Sequence, residues 1–522
     1  MLIYLVMKRF VYFGLKIRGL TFGCNCWGTI RINFLRNKCL WLLAVLGLLT
    51  FTIKAQSLNC LGSENRMKVG AASLKITPPI GSVMGNSYGL SISEGVHDDL
   101  FVKALVFDVE GEKGALIALD LISLPYGLVQ QTRELVAAKT GIAKKNLTMT
   151  ATHCHAGPQM NPRFLKNIGG EPERKSLAYL SQLPEKLVQA IQEAEGSLQP
   201  AKASIGYFNE DKVNFNRRFL MKDGSFKTNP GRLNPHIERA MGPVDPKGSV
   251  VLFESMDDSP IAVLVNFALH PAIVVGNKFS ADFPGVVSKI MEGIYGEELV
   301  TVYTNGNSGN INHIDVKSDS KLDHYEESAR IGTILAADVM KALTSLQPLE
   351  LRSLKIAKRK VELPVPNIES HQVQWAKDIL DRFGKADPPK FTDVVDAWRV
   401  LDLEKGKEAF NGRVQQTTTA PLNEEGDALL SEVQVFSFGS ELALVGFPGD
   451  AFVELSLAIR IQSPYAHTIV FQQSGNGNLS YVPDRKAFLE GGYEVNSARF
   501  SPGGGELLVD AVQRLLISLF YN

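Results

Sequence analysis

Residues 146–158 read Asn-Leu-Thr-Met-Thr-Ala-Thr-His-Cys-His-Ala-Gly-Pro, a strand-like run that leads into two histidines and a Gly-Pro turn. Because side chains alternate between the two faces of a strand, we expect His153 and His155 to point the same way and Cys154 to point to the opposite side. Two neutral imidazoles at a strand end can form half of a transition-metal site, or a catalytic base with its assistant. Taken alone, the pattern also fits ordinary hydrogen-bonded histidines.

Two further apolar runs also end in polar groups. Residues 261–269 form a continuous apolar run that ends at His270, and residues 299–303 lead into a polar, Gly-rich turn over 304–313. Continuous apolar runs are typical of strands that are buried on both faces. Open α/β sheets bind ligands at the carboxyl ends of their strands, so these three strand ends predict one site. A plain surface loop remains an alternative for the third segment.

Alternating strand and helix patterns predict the fold class. Strands are predicted at 104–109, 115–123, 147–152, 250–254, 261–269, 300–304 and 467–472, and helices at 128–140, 177–195, 282–295, 326–346, 451–461 and 506–520. We expect an α/β fold, with a mostly parallel mixed sheet flanked by helices in one large catalytic domain over residues 67–522. The proline-containing segment at about 349–412 is predicted to be an insertion that covers one side of the site, with a linker as the alternative.

Composition excludes several classes of protein. The 522 residues are 45% hydrophobic and 21% charged, which allows a large core and excludes a disordered or fibrous chain. Lys+Arg and Asp+Glu balance at 55 each, so no excess of positive charge indicates nucleic-acid binding. We therefore expect no nucleic-acid partner.

Residues 1–55 are predicted to be a targeting region. Arg36 and Lys38 precede a short apolar run over 39–52, and Ala55 offers a cleavage site, as in a secretory signal peptide. We expect a secreted or periplasmic protein whose native start lies downstream of Met1; a retained anchor helix is the alternative. Cleavage there would leave two of the five cysteines, Cys60 and Cys154, so no disulfide framework is expected.

Five blocks in sequence resemble the neutral/alkaline non-lysosomal ceramidase family. They are Ala-Thr-His-Cys-His-Ala-Gly-Pro at 151–158, Asn-Phe-Ala-Leu-His-Pro at 266–271, Ser-Ala-Asp-Phe-Pro-Gly at 280–285, Thr-Asn-Gly-Asn-Ser-Gly-Asn-Ile-Asn at 304–312 and Gly-Phe-Pro-Gly-Asp at 446–450. The likeness extends from about Met67 to Asn522. Enzymes of that family are zinc amidohydrolases that cut the amide of ceramide, and two histidines, a glutamate and a tyrosine hold their zinc. The resemblance implies one Zn²⁺ per chain, with His153 and His270 as ligands.

The other two ligands require a choice between neighbours. The family's Pro-Gly-Glu is Pro-Gly-Asp here, so the resemblance assigns Asp450, whose shorter side chain requires a closer backbone. Glu454, one helical turn later, is the rival carboxylate. Tyr481 matches the tyrosine block, and Tyr493 is the second candidate. Either tyrosine hydroxyl could instead close a buried hydrogen bond.

The family's serine nucleophile is replaced by Asn312. An amide cannot attack, but it can donate hydrogen bonds to a developing oxyanion. The resemblance then favours a zinc-activated water as the nucleophile. It places His155 as general base or hydrogen-bond donor, and Arg217 as a cation that stabilises the same charge. Asp120 could orient a histidine from behind or cap a helix.

These inferences predict a zinc-dependent amidohydrolase that acts on ceramide or a related N-acyl compound, with transient contact to a membrane surface. The family's additional β-sandwich domain is not expected in this chain, which leaves the identity of the lipid open. A secreted binding protein that has lost turnover is the alternative, favoured by the missing serine and the change from Glu to Asp. A zinc hydrolase of a non-ceramide amide or an ester is a third reading.

Overall fold

A computed structural model of the chain describes residues 67–85, 90–166, 168–382, 389–409, 420–477 and 479–522. All of them belong to one compact unit, Asn65–Asn522. The predicted signal region at 1–55 lies outside the described residues. Within the described ranges, none of the helices combines the length and the apolar character needed to cross a bilayer.

The strands and helices are numbered here in chain order. The strands are β1 (Met67–Lys75), β2 (Gly95–Val96), β3 (Phe101–Val109), β4 (Glu112–Leu119), β5 (Leu147–Ala151), β6 (Gln199–Asn209), β7 (Phe215–Asn216), β8 (Arg218–Met221), β9 (Phe226–Thr228), β10 (Ile237–Ala240), β11 (Lys247–Ser255), β12 (Pro260–Phe267), β13 (Lys278–Phe279), β14 (Val300–Asn305), β15 (Ile311–Asn312), β16 (Gln347–Leu349), β17 (Leu354–Pro364), β18 (Ala428–Phe438), β19 (Leu442–Pro448), β20 (Asp450–Ala451), β21 (His467–Ser474) and β22 (Tyr481–Val482). The helices are α1 (Tyr126–Lys139), α2 (Pro162–Leu165), α3 (Gly170–Gly196), α4 (Asp282–Tyr295), α5 (His324–Leu343), α6 (Ser370–Arg382), α7 (Phe391–Ala409), α8 (Val453–Gln462), α9 (Arg485–Glu490), α10 (Tyr493–Ser497) and α11 (Gly504–Tyr521).

One 13-stranded sheet dominates the fold, in the order β14-β12-β11-β6-β1-β3-β4-β5-β21-β19-β18-β17, with β16 paired to β6. The predicted α/β class, a mixed sheet flanked by helices, is confirmed. The expected predominance of parallel pairing needs correction. Along the described strands of this sheet, only β12–β14, β4–β5 and β19–β21 pair in parallel, and the other pairs are antiparallel.

The strands at the centre of the sheet are buried on both faces, because the sheet packs against itself on one face and against helices on the other. Phe107 of β3 contacts Phe253 of β11 and Phe438 of β18, with ring centroids 5.5 and 5.1 Å apart. The opposite face of β3 packs against Leu183 and Leu187 of α3. Strands that are buried on both faces therefore have continuous apolar runs here, although most of them pair antiparallel. The sequence pattern suggested parallel pairing because such runs are also typical of parallel sheets.

The predicted helices and strands are found with modest shifts at their ends. The segment at about 349–412 differs more. Its residues 354–364 form β17, an edge strand that pairs with β18 along its whole length. The part that leaves the sheet therefore begins after Pro364 and contains α6 and α7, with residues 383–388 and 410–412 outside the described ranges.

The carboxyl ends of the strands converge on one region. The pair β4–β5 and the pair β19–β21 join only through Thr150 and Ser474, which lie close to the ends of β5 and β21. The residues that follow β5 and β19 therefore enter the same space. His153 lies just after β5, and Asp450 lies just after β19.

Candidate active site

Three histidines meet in this region. The Nε2 atoms of His153 and His270 are 3.2 Å apart, those of His155 and His270 are 3.2 Å apart, and those of His155 and His153 are 3.3 Å apart. The geometry of this group allows it to hold a metal ion. Three nitrogens pointing at one another across such short distances need a shared proton or a cation between them.

His153 and His155 lie in the loop after β5, so the alternation of side chains along a strand does not explain how they come together. The strand ends at Ala151, and His153 has φ +70°, a left-handed conformation that is unfavourable for a residue with a side chain. The amide of His153 donates to the carbonyl of Leu121, and that of His155 donates to the carbonyl of Pro271 at 3.1 Å. The second bond ties this loop directly to the turn that follows His270.

Backbone carbonyls fix the orientation of two rings. The Nδ1 atom of His153 lies 2.6 Å from the carbonyl oxygen of Ile122, and that of His270 lies 3.4 Å from the carbonyl oxygen of Ser308. A ring that donates through Nδ1 presents the Nε2 lone pair to the cluster, as metal-binding histidines do. These carbonyl partners carry no signal in the sequence, because any residue type supplies one.

Asp450 adds a carboxylate to the cluster. Its Oδ2 atom lies 3.4 Å from Nε2 of His153 and 3.5 Å from Nδ1 of His270. The residue is 2% exposed, and neither of its carboxylate oxygens has a hydrogen-bond partner in the described part of the chain. A buried carboxylate in this state requires a compensating cation.

Two glycines allow the backbone of Asp450 to come close. Gly449 has φ +69°, and a Cβ added to it would lie 2.7 Å from the carbonyl oxygen of Ser480. A Cβ added to Gly309 would lie 2.3 Å from the carbonyl oxygen of Asp450. Only glycine fits at either position. These two glycines therefore allow close packing of the backbone around Asp450.

At neutral pH, the side chains of His270, His155 and Asp450 have the protonation states that favour binding of a cation. Burial lowers the pKa of His270 well below its usual value, and burial followed by the neighbouring His153 lowers the pKa of His155 to about 3. Burial alone would raise the pKa of Asp450, but the facing imidazoles of His270 and His153 hold it below its ordinary value. Neutral imidazoles and an ionised carboxylate are the forms that bind metal.

The donor set fits zinc. Two ligands of a tetrahedral zinc ion at 2.0–2.1 Å are separated by about 3.3 Å. The three Nε2 separations, 3.2–3.3 Å, and the 3.4 Å distance from Asp450 to His153 match that spacing. His155 therefore sits where a ligand could sit, although the family resemblance gave it the role of general base or hydrogen-bond donor.

Tyr481 lies beside this cluster. It pairs with Asp450 in the short parallel bridge between β20 and β22, and its ring stacks over His270 with centroids 6.5 Å apart. Burial raises the pKa of Tyr481 above its ordinary value. Tyr493 lies farther out, with its ring 5.3 Å from that of Tyr481. Of the two candidates, Tyr481 is the one whose ring lies beside a histidine of the cluster.

Arg217 is buried behind Tyr481. Its guanidinium carbon lies 5.2 Å from the centre of the Tyr481 ring, its Nε donates to Glu494 at 2.9 Å, and its Nη2 donates to the carbonyl of Gly309 at 2.6 Å. Glu494 is fully buried and also accepts a hydrogen bond from Arg218. These bonds hold a permanent positive charge next to the site.

Two other candidates lie elsewhere. Asn312 donates to Asn229 at 2.6 Å and accepts from the amide of Ile314, and it does not line the cavity of the site. Glu454, the rival carboxylate, accepts from Asn310 at 2.8 Å and lines a separate small cavity. The structure thus places Asp450, and not Glu454, against the histidines.

Cys154 and Asp120 support the loop from the opposite side. Cys154 is fully buried in the apolar cluster under α1 and α3, on the side away from the histidines. Asp120 accepts hydrogen bonds from the amide of Phe101 and from the hydroxyl of Thr152. It contacts the residue before His153 and orients no imidazole directly.

A cavity of about 490 Å³ opens onto the cluster, which is within the usual range for ligand sites. Its wall combines cluster residues with apolar side chains and with polar side chains that sequence reasoning missed. The lining includes His153, His155, Asp450, Tyr481, Tyr493, Ile122, Met160, Phe164, Phe391, Trp398, Asp402, Gln473, Ser480 and Arg499. Three of these, Trp398, Asp402 and Phe391, come from α7, so this helix of the 349–412 segment lines the cavity, while the assignment of the segment as an insertion stays a prediction.

Residues 67–313 match the family described as neutral/alkaline non-lysosomal ceramidase, N-terminal. The predicted resemblance to this family is confirmed. The ceramidase match contains His153, His155, Arg217 and His270, and it ends before Asp450.

Two solved structures share the ceramidase fold. One is a crystal structure of neutral ceramidase from Pseudomonas aeruginosa, with a TM-score of 0.64, 18% sequence identity and coverage of 87% of this chain and 75% of that chain. The other is described as ceramidase complexed with C2, with a TM-score of 0.65, 18% identity and coverage of 88% of this chain and 76% of that chain. At this identity the likeness shows the fold alone. No curated protein matches this chain in sequence.

Proposed function

We propose that the protein is a zinc-dependent hydrolase that cleaves the N-acyl amide of ceramide or of a related N-acyl compound. The observation that carries the proposal is the buried group of three Nε2 atoms, 3.2–3.3 Å apart, beside the unpartnered carboxylate of Asp450. Ceramidase family membership of the N-terminal half supports amide hydrolysis as the reaction class.

Each residue of the cluster has a role in this proposal. His153, His270 and Asp450 would hold the zinc, and Tyr481 is placed to complete the set from the neighbouring strand. When bound, zinc supplies Lewis-acid chemistry and activates water for attack on the amide carbonyl. His155 is neutral at pH 7, so its Nε2 can accept the proton of the attacking water and return it to the leaving amine.

Arg217 balances the negative charge that develops on the amide oxygen. Its guanidinium is held by Glu494 and by the carbonyl of Gly309, so it needs no reorganisation during the reaction. Asn312 was predicted to share this task, but its amide is already bonded to Asn229 and Ile314. We therefore assign charge stabilisation to Arg217, which does not line the cavity itself and would act through Tyr481 as a fixed positive charge.

The cavity favours a substrate with an apolar chain. Ile122, Met160 and Phe164 form an apolar wall next to the histidines. A fatty acyl chain could lie along this wall while its carbonyl faces the cluster. We further propose that the protein is exported through its N-terminal signal and meets its lipid substrate at a membrane surface, which rests on the sequence of residues 1–55 and on the nature of the substrate.

The test combines metal analysis with turnover. Purified parent protein should contain one zinc per chain and release fatty acid from an N-acyl sphingosine or a simpler N-acyl amine. Chelation should abolish the activity, and added zinc should restore it. Arg514→Met, a change at an exposed ion pair with Asp510, is the matched control and should behave as the parent does. Full activity after exhaustive chelation would refute the zinc mechanism, and zinc without turnover on amides and esters would favour a binding protein.

A further inference from the structure

Gln472 is a buried glutamine that the proposed chemistry does not use. It lies on β21, is fully buried, and belongs neither to the histidine cluster nor to the lining of the cavity. Its Oε1 atom accepts from the amide of Ser308 at 3.0 Å and from the amide of Ala451 at 3.2 Å. Its Nε2 atom donates to Oγ of Ser308 at 3.0 Å. The carboxamide of Gln472 therefore joins two loops that are distant in sequence.

Each of these two loops supports a proposed zinc ligand. The carbonyl oxygen of Ser308 lies 3.4 Å from Nδ1 of His270. Ala451 directly follows Asp450. The loops also bond to each other, because the amide of Gly309 donates to the carbonyl of Ala451 at 2.8 Å. One side chain thus holds the backbone behind His270 against the backbone behind Asp450.

The backbone at the end of β21 extends this connection. The carbonyl of Gln472 accepts from Oγ1 of Thr150, near the end of β5, at 2.7 Å. The next residue, Gln473, has φ +52°, and its amide donates to the carbonyl of Gly449 at 3.0 Å. A left-handed backbone is unfavourable for a glutamine, so the surrounding structure must hold it there. The residues on both sides of Asp450 are therefore tied to the end of β21.

A carboxamide suits this position because it has an acceptor and a donor at the same end and carries no charge. An apolar side chain of the same size would leave the amides of Ser308 and Ala451 buried without a partner. Buried backbone amides are almost always paired, because an unpaired one carries a desolvation cost. The two loops could lower that cost only by moving toward other acceptors.

We propose that Gln472 is a positioning residue that holds the backbone behind His270 and Asp450 in the arrangement that a zinc ion requires. The proposal rests on the proposed zinc site and adds the residue that pre-organises it. Ligands that are already in place bind a cation more tightly, because less order has to be gained on binding. Loss of the carboxamide should therefore weaken zinc binding and slow turnover, whereas substrate binding should persist because Gln472 does not line the cavity.

Gln472→Met tests this role, since methionine has a similar volume but lacks the donor and the strong acceptor of the amide. The affinity for zinc, measured by competition with a chromogenic chelator, should fall by about tenfold or more. At saturating zinc, kcat should also fall by about tenfold or more while KM stays within about twofold. The matched control is Gln513→Met, at a buried glutamine of α11 that donates to the carbonyl of Ile459 at 2.9 Å, and it should keep the parent's values.

Gln472→Glu separates positioning from a purely structural role. A carboxyl group keeps the oxygen that accepts from both amides, and its protonated form also donates to Ser308. This variant should restore most of the zinc affinity lost in Gln472→Met, although its urea midpoint should fall as well because a carboxyl group is costly to bury. Zinc affinities that followed the urea midpoints of the two variants would overturn the proposal.

Ser308→Ala keeps the proposal testable if Gln472→Met does not fold. It removes only the hydroxyl that accepts from Nε2 of Gln472 and leaves both amide bonds in place. The affinity for zinc should fall by about threefold. An affinity equal to that of the parent would count against the role of the carboxamide.

A measurement on metal-free protein separates this proposal from the proposed function. Nuclear magnetic resonance of isotopically labelled histidine reports which ring nitrogen carries the proton. In the parent, His270 should carry it on Nδ1, which faces the carbonyl of Ser308. Gln472→Met should lose this preference and Gln513→Met should keep it, a result that would support the proposal even if the protein bound no zinc and cleaved no amide. An unchanged preference for Nδ1 in Gln472→Met would overturn it.

Discussion

Replacing Glu494 with glutamine should strongly destabilise the domain, because this fully buried carboxylate is shared by two arginines. It accepts from Nε of Arg217 at 2.9 Å, from Nη1 of Arg218 at 3.1 Å and from the hydroxyl of Thr228 at 2.8 Å. Glutamine preserves the volume but removes the negative charge. Arg218 keeps Glu490 as an anionic partner at 3.0 Å, whereas Arg217 keeps only neutral acceptors, the glutamine oxygen and the carbonyl of Gly309, in the described part of the chain.

The magnitude follows from the charge that is left without a partner. Removing one partner of a buried ion pair costs about 3–5 kcal/mol. With an m value of roughly 3 kcal/mol/M, the urea midpoint should fall by about 1–2 M. Tryptophan fluorescence and far-ultraviolet circular dichroism would both report it.

The matched control is Asp510→Asn, which removes an exposed carboxylate that pairs with Arg514 at 2.8 Å. Its midpoint should not differ measurably from that of the parent, because exposed pairs are screened by water. If Glu494→Gln moved the midpoint no more than this control, the assignment of Glu494 as the counterion that holds Arg217 would be refuted.

Further predictions concern the site itself. His155→Ala should retain about one zinc per chain, because His153, His270 and Asp450 remain. Its kcat should fall by about a hundredfold or more, because general base catalysis is lost. Loss of zinc in this variant would instead make His155 a ligand. Gly309→Ala should lower the affinity for zinc, because its added Cβ would lie 2.3 Å from the carbonyl oxygen of Asp450. The affinity is measured by competition with a chromogenic chelator. The control is Gly224→Ala, at a turn with open space around it, which should leave the affinity unchanged. Burial raises the folded-state pKa of Asp120 from 3.8 to about 6, so its contribution to stability is complete below pH 3.8 and is lost as the pH rises through about 6. The stability of Asp120→Asn relative to the parent should therefore improve by up to about 3 kcal/mol between pH 4 and pH 7, and a difference independent of pH would contradict that assignment.

Each strand predicted from the sequence is found, but the sequence patterns missed six of the 13 strands of the main sheet and predicted the pairing poorly; the missed strands are β1, β6, β16, β17, β18 and β19. The runs at 261–269 and 300–304 were correctly expected to be strands, and β12 and β14 do pair in parallel. The same reasoning failed for β3 and β4, which form an antiparallel hairpin. In each case the prediction came from a continuous apolar run, which indicates a strand buried on both faces. Such a run does not show whether helices cover both faces, as in a parallel sheet, or whether the sheet packs against itself.

The site was predicted in its residues more than in its geometry. His153, His270 and Asp450, which motif order grouped, do lie next to one another although they are distant in sequence, and their role as metal ligands stays a prediction. The left-handed backbone at His153 could not be foreseen, because it depends on the hydrogen bond from its amide to Leu121. Arg499 and Trp398 gave no signal either, since a lone arginine and a lone tryptophan resemble ordinary surface and core residues until the fold places both on one cavity.

Zinc content measured by mass spectrometry on the purified parent, His153→Ala and His270→Ala proteins tests the central claim most directly. The account predicts close to one zinc ion per parent chain and a loss of most of it in both variants, with each variant still folded by circular dichroism. A parent protein without zinc, or variants that keep the parent's zinc content, would contradict it.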